Sequence, residues 1–498
     1  MRTPKNRRGD RSSVLIVGPT RCGKSAQTIS SILTTDTPAI IMSPKTDLLI
    51  PTIRRRMMLG DVRVFDPSQL PDVPDAHRAS WSPLRRCTTL SGAMDAARAI
   101  VEATPREKRA ADFWDEMAPL LLWPMMYAAA QAQLPMATVA QWMDRQDRPT
   151  ATDEGAVSVI LDRMMTSGDR ALREAAAATL TALKGKWELA ENTRSSIYAT
   201  AMPLVKSWID PLLAAATATC NIDLQWLLDP TPLEHDQTRP RANTLYITER
   251  DYRFREHGVV FGSLIKDLVD QQLEFSNRAG RPPRDLVLIM DEAGNTPVRW
   301  LPEIASICAG HGIQLVTVWQ SVAQIHTLYG DRTGTVLANH GTKVLFSGIS
   351  DEETIKYTSA VSGEAELVQT SVSSDRSMWA PNRQSIQEST RTTPLVAGWL
   401  LRQIPIGEAL LVHGTLPPAH LRTTPWYGDK GLVHLAQTGL PPKHGPWRTL
   451  YAPKTPPTLA TDWVPEVEIQ PPTRRFNNKR TRQDKNHIIR TPSNDSVQ

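Results

Sequence analysis

Cysteine is scarce. The four in 498 residues, Cys22, Cys87, Cys220 and Cys308, form no CxxC pair. That excludes a zinc site built on paired cysteines and a disulfide framework, and points to a reducing compartment. Long hydrophobic runs are missing too. The most apolar stretch, Met117 to Ala130, contains Pro119 and Pro124. It falls short of the ~20 residues that a membrane span needs, so it reads as a buried core helix. The basic start lacks the apolar segment of a secretory signal. Excess charge is small: 57 Lys and Arg against 52 Asp and Glu give +5, which permits a nucleic-acid partner without demanding one.

What charge there is sits at the ends. Arg2, Lys5, Arg7, Arg8 and Arg11 open the chain, and Arg474, Arg475, Lys479, Arg480, Arg482, Lys485 and Arg490 lie near its close. These are either solvated termini or electrostatic arms for nucleic acid or an anionic membrane surface. Proline, by contrast, is plentiful at 39, many of them in the last hundred residues, which marks a loop-rich end. A hydrophobic fraction of 40% is enough for ordinary globular cores, and the length suggests about three domains.

The organising stretch is Ser12 to Leu33. Val14 to Val17 reads as a buried strand, Ala26 to Leu33 as a helix. Between them Gly18, Pro19, Thr20, Arg21, Cys22, Gly23, Lys24 and Ser25 fit G-x-x-x-x-G-K-[ST] in the strand–loop–helix setting that gives the pattern its meaning. Gly18 and Gly23 let the backbone wrap a phosphate, and the helix start adds the positive end of its dipole. Lys24 is expected on the β- and γ-phosphates of ATP, and the Ser25 hydroxyl on Mg²⁺. Cys22, near a helix N-terminus, is expected to have a lowered thiol pKa, with thiol reagents blocking turnover and ATP protecting.

Ala39–Met42 and Val62–Phe65 read as further strands of a parallel sheet. From Ser91 to about Leu213 strand signals vanish and Ala, Leu, Met, Glu and Arg dominate, which reads as an inserted all-helical domain. Its Trp114, Trp123, Trp142, Trp187 and Trp208 read as helix–helix core, with base stacking the alternative. Sheet texture returns at Thr244–Thr248, followed by a helix over Phe261–Phe275. The strand Leu286–Met290 then delivers Asp291 and Glu292. Asp291 is expected to hold the metal and Glu292 to deprotonate the attacking water. The strand Gln314–Val318 runs into Gln320, expected to sense the γ-phosphate. Thr342–Phe346 and Ile406–Gly414 read as strands, Ser350 as a helix cap, and Glu364 to about Thr392 as an exposed polar loop or a segment that orders on binding. The tips bearing Lys24 and Asp291–Glu292 are expected to be adjacent.

The expected fold class is therefore α/β, a P-loop NTPase domain in two parts, 12–90 and 216–430. An all-α domain at 91–215 separates them, a basic arm occupies 1–11, and a Pro-rich, basic, disordered appendage occupies 431–498.

Together these residues resemble the type IV secretion coupling proteins of the TraG/TraD class, the conjugative DNA-transfer ATPases. The resemblance runs from about Ser12 to Tyr427. It is carried by GPTRCGKS, by VFDP at 64–67 with Trp81-Ser82-Pro83-Leu84, and by FWDEMAPLLL. MDEAGNTPV at 290–298, GIQLVTVWQSVAQI at 312–325, Tyr329-Gly330 and KVLFSGISDEET complete it. It implies a RecA-like domain and an all-α domain assembling as a homo-hexamer around a DNA channel, with ATP between subunits. Hydrolysis would drive single-stranded DNA with its relaxase toward a type IV secretion channel. Relatives usually begin with transmembrane helices, whereas this chain starts almost at the phosphate-loop strand. It is therefore expected either to be cytoplasmic and peripheral at the inner membrane face, docking on a membrane-anchor protein, or to be a truncated member. Relatives often carry an arginine before the sensor strand, where this chain reads Cys308-Ala309-Gly310-His311-Gly312. Such a finger is worth ~10³–10⁵ in rate, so either another arginine serves, with Arg332 the candidate, or turnover is slow until a partner supplies one. The alternatives are an ATP-binding adaptor that is not a motor, and a double-strand DNA translocase for segregation.

Overall fold

The structure, a computed structural model, describes residues 12–442 except 105–110, 235, 297 and 376–382. The basic arm at 1–11 and the tail from 443 lie outside the described residues. Segments buried on both faces are predominantly apolar, and such runs make the main sheet. They are Val14–Val17 (β1), Ala39–Met42 (β2), Val62–Phe65 (β3), Thr244–Ile247 (β4), Leu286–Met290 (β5), Ile313–Trp319 (β6) and Thr342–Phe346 (β7). Glu408–His413 (β8) and Ala419–Arg422 (β9) complete it. The nine strands run in the order β9-β8-β7-β1-β6-β5-β2-β4-β3. Strands β1 to β7 are mutually parallel, and β8 and β9 are added antiparallel at one edge. This is a RecA-like α/β fold.

Alternation along each strand feeds two cores. Leu15, Val17, Ile40, Met42, Leu288 and Met290 face one; Val14, Ile16, Ala39, Ile41, Val287 and Ile289 face the other. The first core runs on into a stretch of helices without strands, from Leu90–Glu102 to Pro211–Ala216. Its centre is the helix Ala111–Gln131, which accommodates Pro119 and Pro124. There Leu121, Leu122, Met125, Met126, Ala128 and Ala129 are fully buried, as the core-helix reading expected. Trp123, Trp142, Trp187 and Trp208 are buried as well, so they pack the helices and are not platforms for bases. Among the described residues no helix is long and apolar enough to cross a membrane.

Three expectations are corrected. The helix Glu352–Ser362 is capped by Asp351, whose Oδ2 accepts from the Thr354 N–H, and not by Ser350. The polar stretch after Gly363 is a two-stranded antiparallel ribbon, Glu364–Asp375 against Arg383–Pro394. Its Ser, Thr and Val content suits a pleated surface, and its polarity concealed that. Finally, Lys430–Thr438, assigned to the appendage, is a helix packed on Leu49–Met57. Leu432, Leu435 and Ala436 join the second core, and Arg54 and Arg55 donate to the carbonyls of Gln437 and Gly439. The packed body therefore reaches at least to this helix.

Leu435 is fully buried, so Leu435→Ala is expected to cost about 2–5 kcal/mol. Chemical denaturation of the full chain reads this; an unchanged midpoint would return the segment to the appendage.

Candidate nucleotide-binding site at the carboxyl edge of the sheet

The phosphate loop leaves β1 at Gly18, whose N–H donates to the Trp319 carbonyl at 3.2 Å. A Cβ on Gly18 would stand 2.7 Å from Cys22 Sγ and 2.8 Å from Phe346 Cβ, so only glycine fits that close approach. Gly23, at φ +103°, starts the helix Lys24–Thr34 from a conformation that L side chains avoid. Lys24 folds over the loop: Nζ donates to the carbonyls of Gly18 at 2.5 Å and Pro19 at 2.7 Å. Ser25 is exposed on the first helical turn, one position beyond.

Strand β5 brings Asp291 and Glu292 to the same edge. Asp291 is 5% exposed, and its Oδ2 accepts from Ser43 Oγ at 3.2 Å. Burial, and then the charge of Glu292, push its carboxyl up to about 6; Ser43 and the Lys24 ammonium pull the other way. The loop lysine therefore bears on the strand acid, though 267 positions separate them (291 − 24). Glu292 is left-handed, at φ +51°, and its Oε2 accepts from Asn295 Nδ2 at 2.5 Å. Lys45, beyond the β2 tip, pairs with Asp251 at 3.2 Å. Asp251 chiefly, then Asp47 and Glu292, hold its ammonium above the ordinary range. Sequence reading passed over Ser43, Lys45 and Asn295. Ser43 had a visible signal, being the polar residue directly after an apolar strand.

Strand β6 separates β1 from β5, which corrects the expectation of adjacent tips. Trp319 lies opposite Val17, and Thr317 opposite Met290, so the three tips end close to level. Gln320 is exposed at the tip of β6, between the two, and its N–H donates to Gln324 Oε1 at 3.1 Å. Below it Trp319 Nε1 donates to Thr317 Oγ1 at 2.9 Å, and Thr317 meets His340 Nε2 at 3.1 Å. Burial pushes that imidazole down to about 4, so it is neutral at pH 7 and holds the strand as a hydrogen-bonding group.

Two further expectations change. Cys22 is 5% exposed, and burial pushes its thiol up, outweighing the pull of Lys24. Arg332 is engaged with Glu303 at 3.0 Å, and Cys308–His311 forms a short 3₁₀ turn with Cys308 buried.

A parallel sheet with a glycine loop, a lysine and a buried aspartate at one carboxyl edge defines a phosphate-loop protein of the RecA-like class. Within that class, the family model for type IV secretory system conjugative DNA transfer matches residues 2–444; the chain belongs to this family. No curated protein sequence matches it. Among solved structures it is similar to the bacterial conjugative coupling protein TrwBdeltaN70, unbound, at 17% identity. That match covers 82% of this chain and 84% of that one, with a TM-score of 0.58. Plasmid coupling protein TrwB in complex with ADP and Mg²⁺ gives 17%, 83%, 85% and 0.60 for the same measures. TrwB with the ATP analogue ADPNP gives 15%, 89%, 87% and 0.58. At such identities the likeness is one of fold.

Asp291 generates a prediction. Its folded carboxyl keeps a proton to about 6, whereas an unfolded one keeps it only to about 4. Folding stability is therefore lost as pH rises through that window. Asp291→Asn is expected to stabilise the nucleotide-free chain at pH 7.5 by on the order of 2 kcal/mol, with the gain shrinking toward pH 4. Thermal melts across pH check this, and a gain that is absent or independent of pH would contradict the burial account. Mass-spectrometric mapping of a thiol reagent on the native chain should likewise find Cys220, which is half-buried, labelled well before Cys22.

Proposed function

We propose that the chain is an ATP-hydrolysing DNA translocase that couples single-stranded DNA and its relaxase to a type IV secretion channel. The observation that carries this is the glycine loop with Lys24 and the buried Asp291 at the ends of strands of one parallel sheet, in a chain of the conjugative DNA transfer family. Support also comes from the nucleotide and Mg²⁺ complexes of TrwB.

The residues fit a magnesium nucleotide. Ser25, Ser43 and Asp291 offer only oxygen, the donor type that Mg²⁺ takes, and a buried carboxylate gains from a cation. In this reading Gly18, Pro19, Thr20, Arg21, Cys22 and Gly23 wrap the phosphates with backbone N–H groups. Lys24 leaves the Gly18 and Pro19 carbonyls for the β- and γ-phosphates. Ser25 and Asp291 hold the metal, which when bound neutralises charge developing on the transferred phosphoryl group. Glu292 orients the attacking water and takes its proton, and Gln320 reads the γ-phosphate. The 12–90 segment and the chain from 216 through the helix Lys430–Thr438 form the nucleotide-binding body, and 91–215 a helical domain. A homo-hexamer with ATP between subunits, working peripherally at the cytoplasmic face of the membrane beside an anchor protein, completes the reading.

A second reading is an adaptor that binds ATP without appreciable turnover. The Arg332–Glu303 pair and the lack of arginine in 308–312 favour it. Turnover measured with and without single-stranded DNA separates the two. The motor reading expects stimulation by single-stranded over double-stranded DNA. It also expects a loss of at least about 10²-fold in Glu292→Gln, and loss of nucleotide binding in Lys24→Ala. Unchanged turnover in Glu292→Gln would remove Glu292 as the base, and a DNA-stimulated rate of zero would favour the adaptor.

A further inference from the structure

Glu292 is oriented from outside the phosphate loop. Asn295 closes the short turn Ala293–Asn295, its N–H bonding back to the Glu292 carbonyl at 2.8 Å and its Nδ2 to Glu292 Oε2 at 2.5 Å. The other end of the same amide, Oδ1, accepts from an Arg255 NH2 group at 3.1 Å. An amide between a carboxylate and a guanidinium has one good orientation, nitrogen toward the anion and oxygen toward the cation. Asn295 therefore links the two charges, and moving Arg255 turns the group that holds Glu292.

Arg255 lies on the connection between the β4 tip and the helix Gly258–Ala279. That connection is anchored in the body. Phe254 is fully buried with its ring 5.0 Å from Phe261, and His257 meets the buried Glu249 at 2.9 Å. It is also tied to the helical region: Arg253 pairs with Asp210 at 2.8 Å, and Ser207 Oγ donates to the Glu256 carbonyl at 2.8 Å. Asp210 caps the helix Pro211–Ala216. Beyond Asn295, Arg299 donates to the carbonyls of Glu102 and Thr104, each at 2.8 Å. The loop that carries Glu292 is thus fastened to the helical region on both sides.

We infer that Asn295 is the positioning residue for Glu292, and that residues 250–257 are the link through which the all-helical region sets that carboxylate. A shift of the helical region carries Asp210 and Arg253 with it, displaces Arg255, and turns the Asn295 amide. The same segment holds Lys45 through Asp251, so it borders the site at two points. The inference rests on the reading of Glu292 as the catalytic base.

The test uses the full chain, ATP turnover with and without single-stranded DNA, and hydrogen exchange of the amides at 292–300. Asn295→Ala is expected to lower kcat about 10- to 100-fold, the cost of a misplaced catalytic group, with KM for ATP nearly unchanged. Asn295→Asp should be worse, because it sets a carboxylate against Glu292 while still pairing with Arg255. Losses in Asn295→Ala and Arg255→Ala should not add in the double variant. Arg253→Ala should lose most of the DNA stimulation and speed exchange at 292–300. Wild-type kcat in Asn295→Ala, additive losses, or unaltered stimulation and exchange in Arg253→Ala would each overturn the inference. Failure of the functional reading has a different mark: Glu292→Gln at the wild-type rate. The exchange measurement reports on the link whether or not ATP is hydrolysed.

Discussion

A carboxylate held at the end of a buried strand, within reach of a lysine charge, is the constraint that the rest of this structure serves. Asp291 is costly where it stands, since burial alone disfavours its ionised form. One hydroxyl, from Ser43, and the field of Lys24 offset part of that cost. A site of this kind is arranged for a positive ligand that the body does not itself supply in full. The sheet order follows from the same need: β6 inserts between the lysine strand and the acid strand. Gln320, exposed at the tip of that strand, then stands between the two.

Around that centre the supports are of two kinds. Backbone conformations that only glycine adopts easily, or side chains adopt at a cost, shape the loops; Gly23 and Glu292 are the examples. Neutral hydrogen-bonded groups then brace the strands, as His340 and Thr317 brace β6. Charged groups appear mainly at the rim, where Lys45, Asp251, Arg253 and Asp210 connect the nucleotide edge to the helical region. The two parts of the molecule therefore share a border of polar contacts beside a continuous apolar core.

How much could be read beforehand depended on whether a signal was local. Apolar strands of four or five residues, such as Val14–Val17, Ala39–Met42 and Leu286–Met290, were legible to the residue. Burial on both faces leaves no other composition open to them. The glycine loop was legible because its geometry is written in consecutive residues. The ribbon of Glu364–Asp375 and Arg383–Pro394 was hidden by polarity, since strand pairing is made by backbone groups and needs no apolar run in the sequence. The helix Lys430–Thr438 was hidden by its Pro-rich neighbours. The thiol of Cys22 was misjudged because a helix terminus and a buried environment act in opposite directions, and position alone does not say which prevails.

By itself the sequence determined the elements and the chemical types at their ends: a lysine loop, an acid pair, a glutamine tip and an all-helical stretch. Those depend on short-range periodicity and on residues adjacent in the chain. Only the tertiary structure decided that β6 lies between the other two tips, that Ser43 serves Asp291, and that Arg255 reaches Asn295. Such pairings join residues tens to hundreds of positions apart. Their partners are chosen by how the sheet is ordered and how the helical region packs, and no local pattern records either.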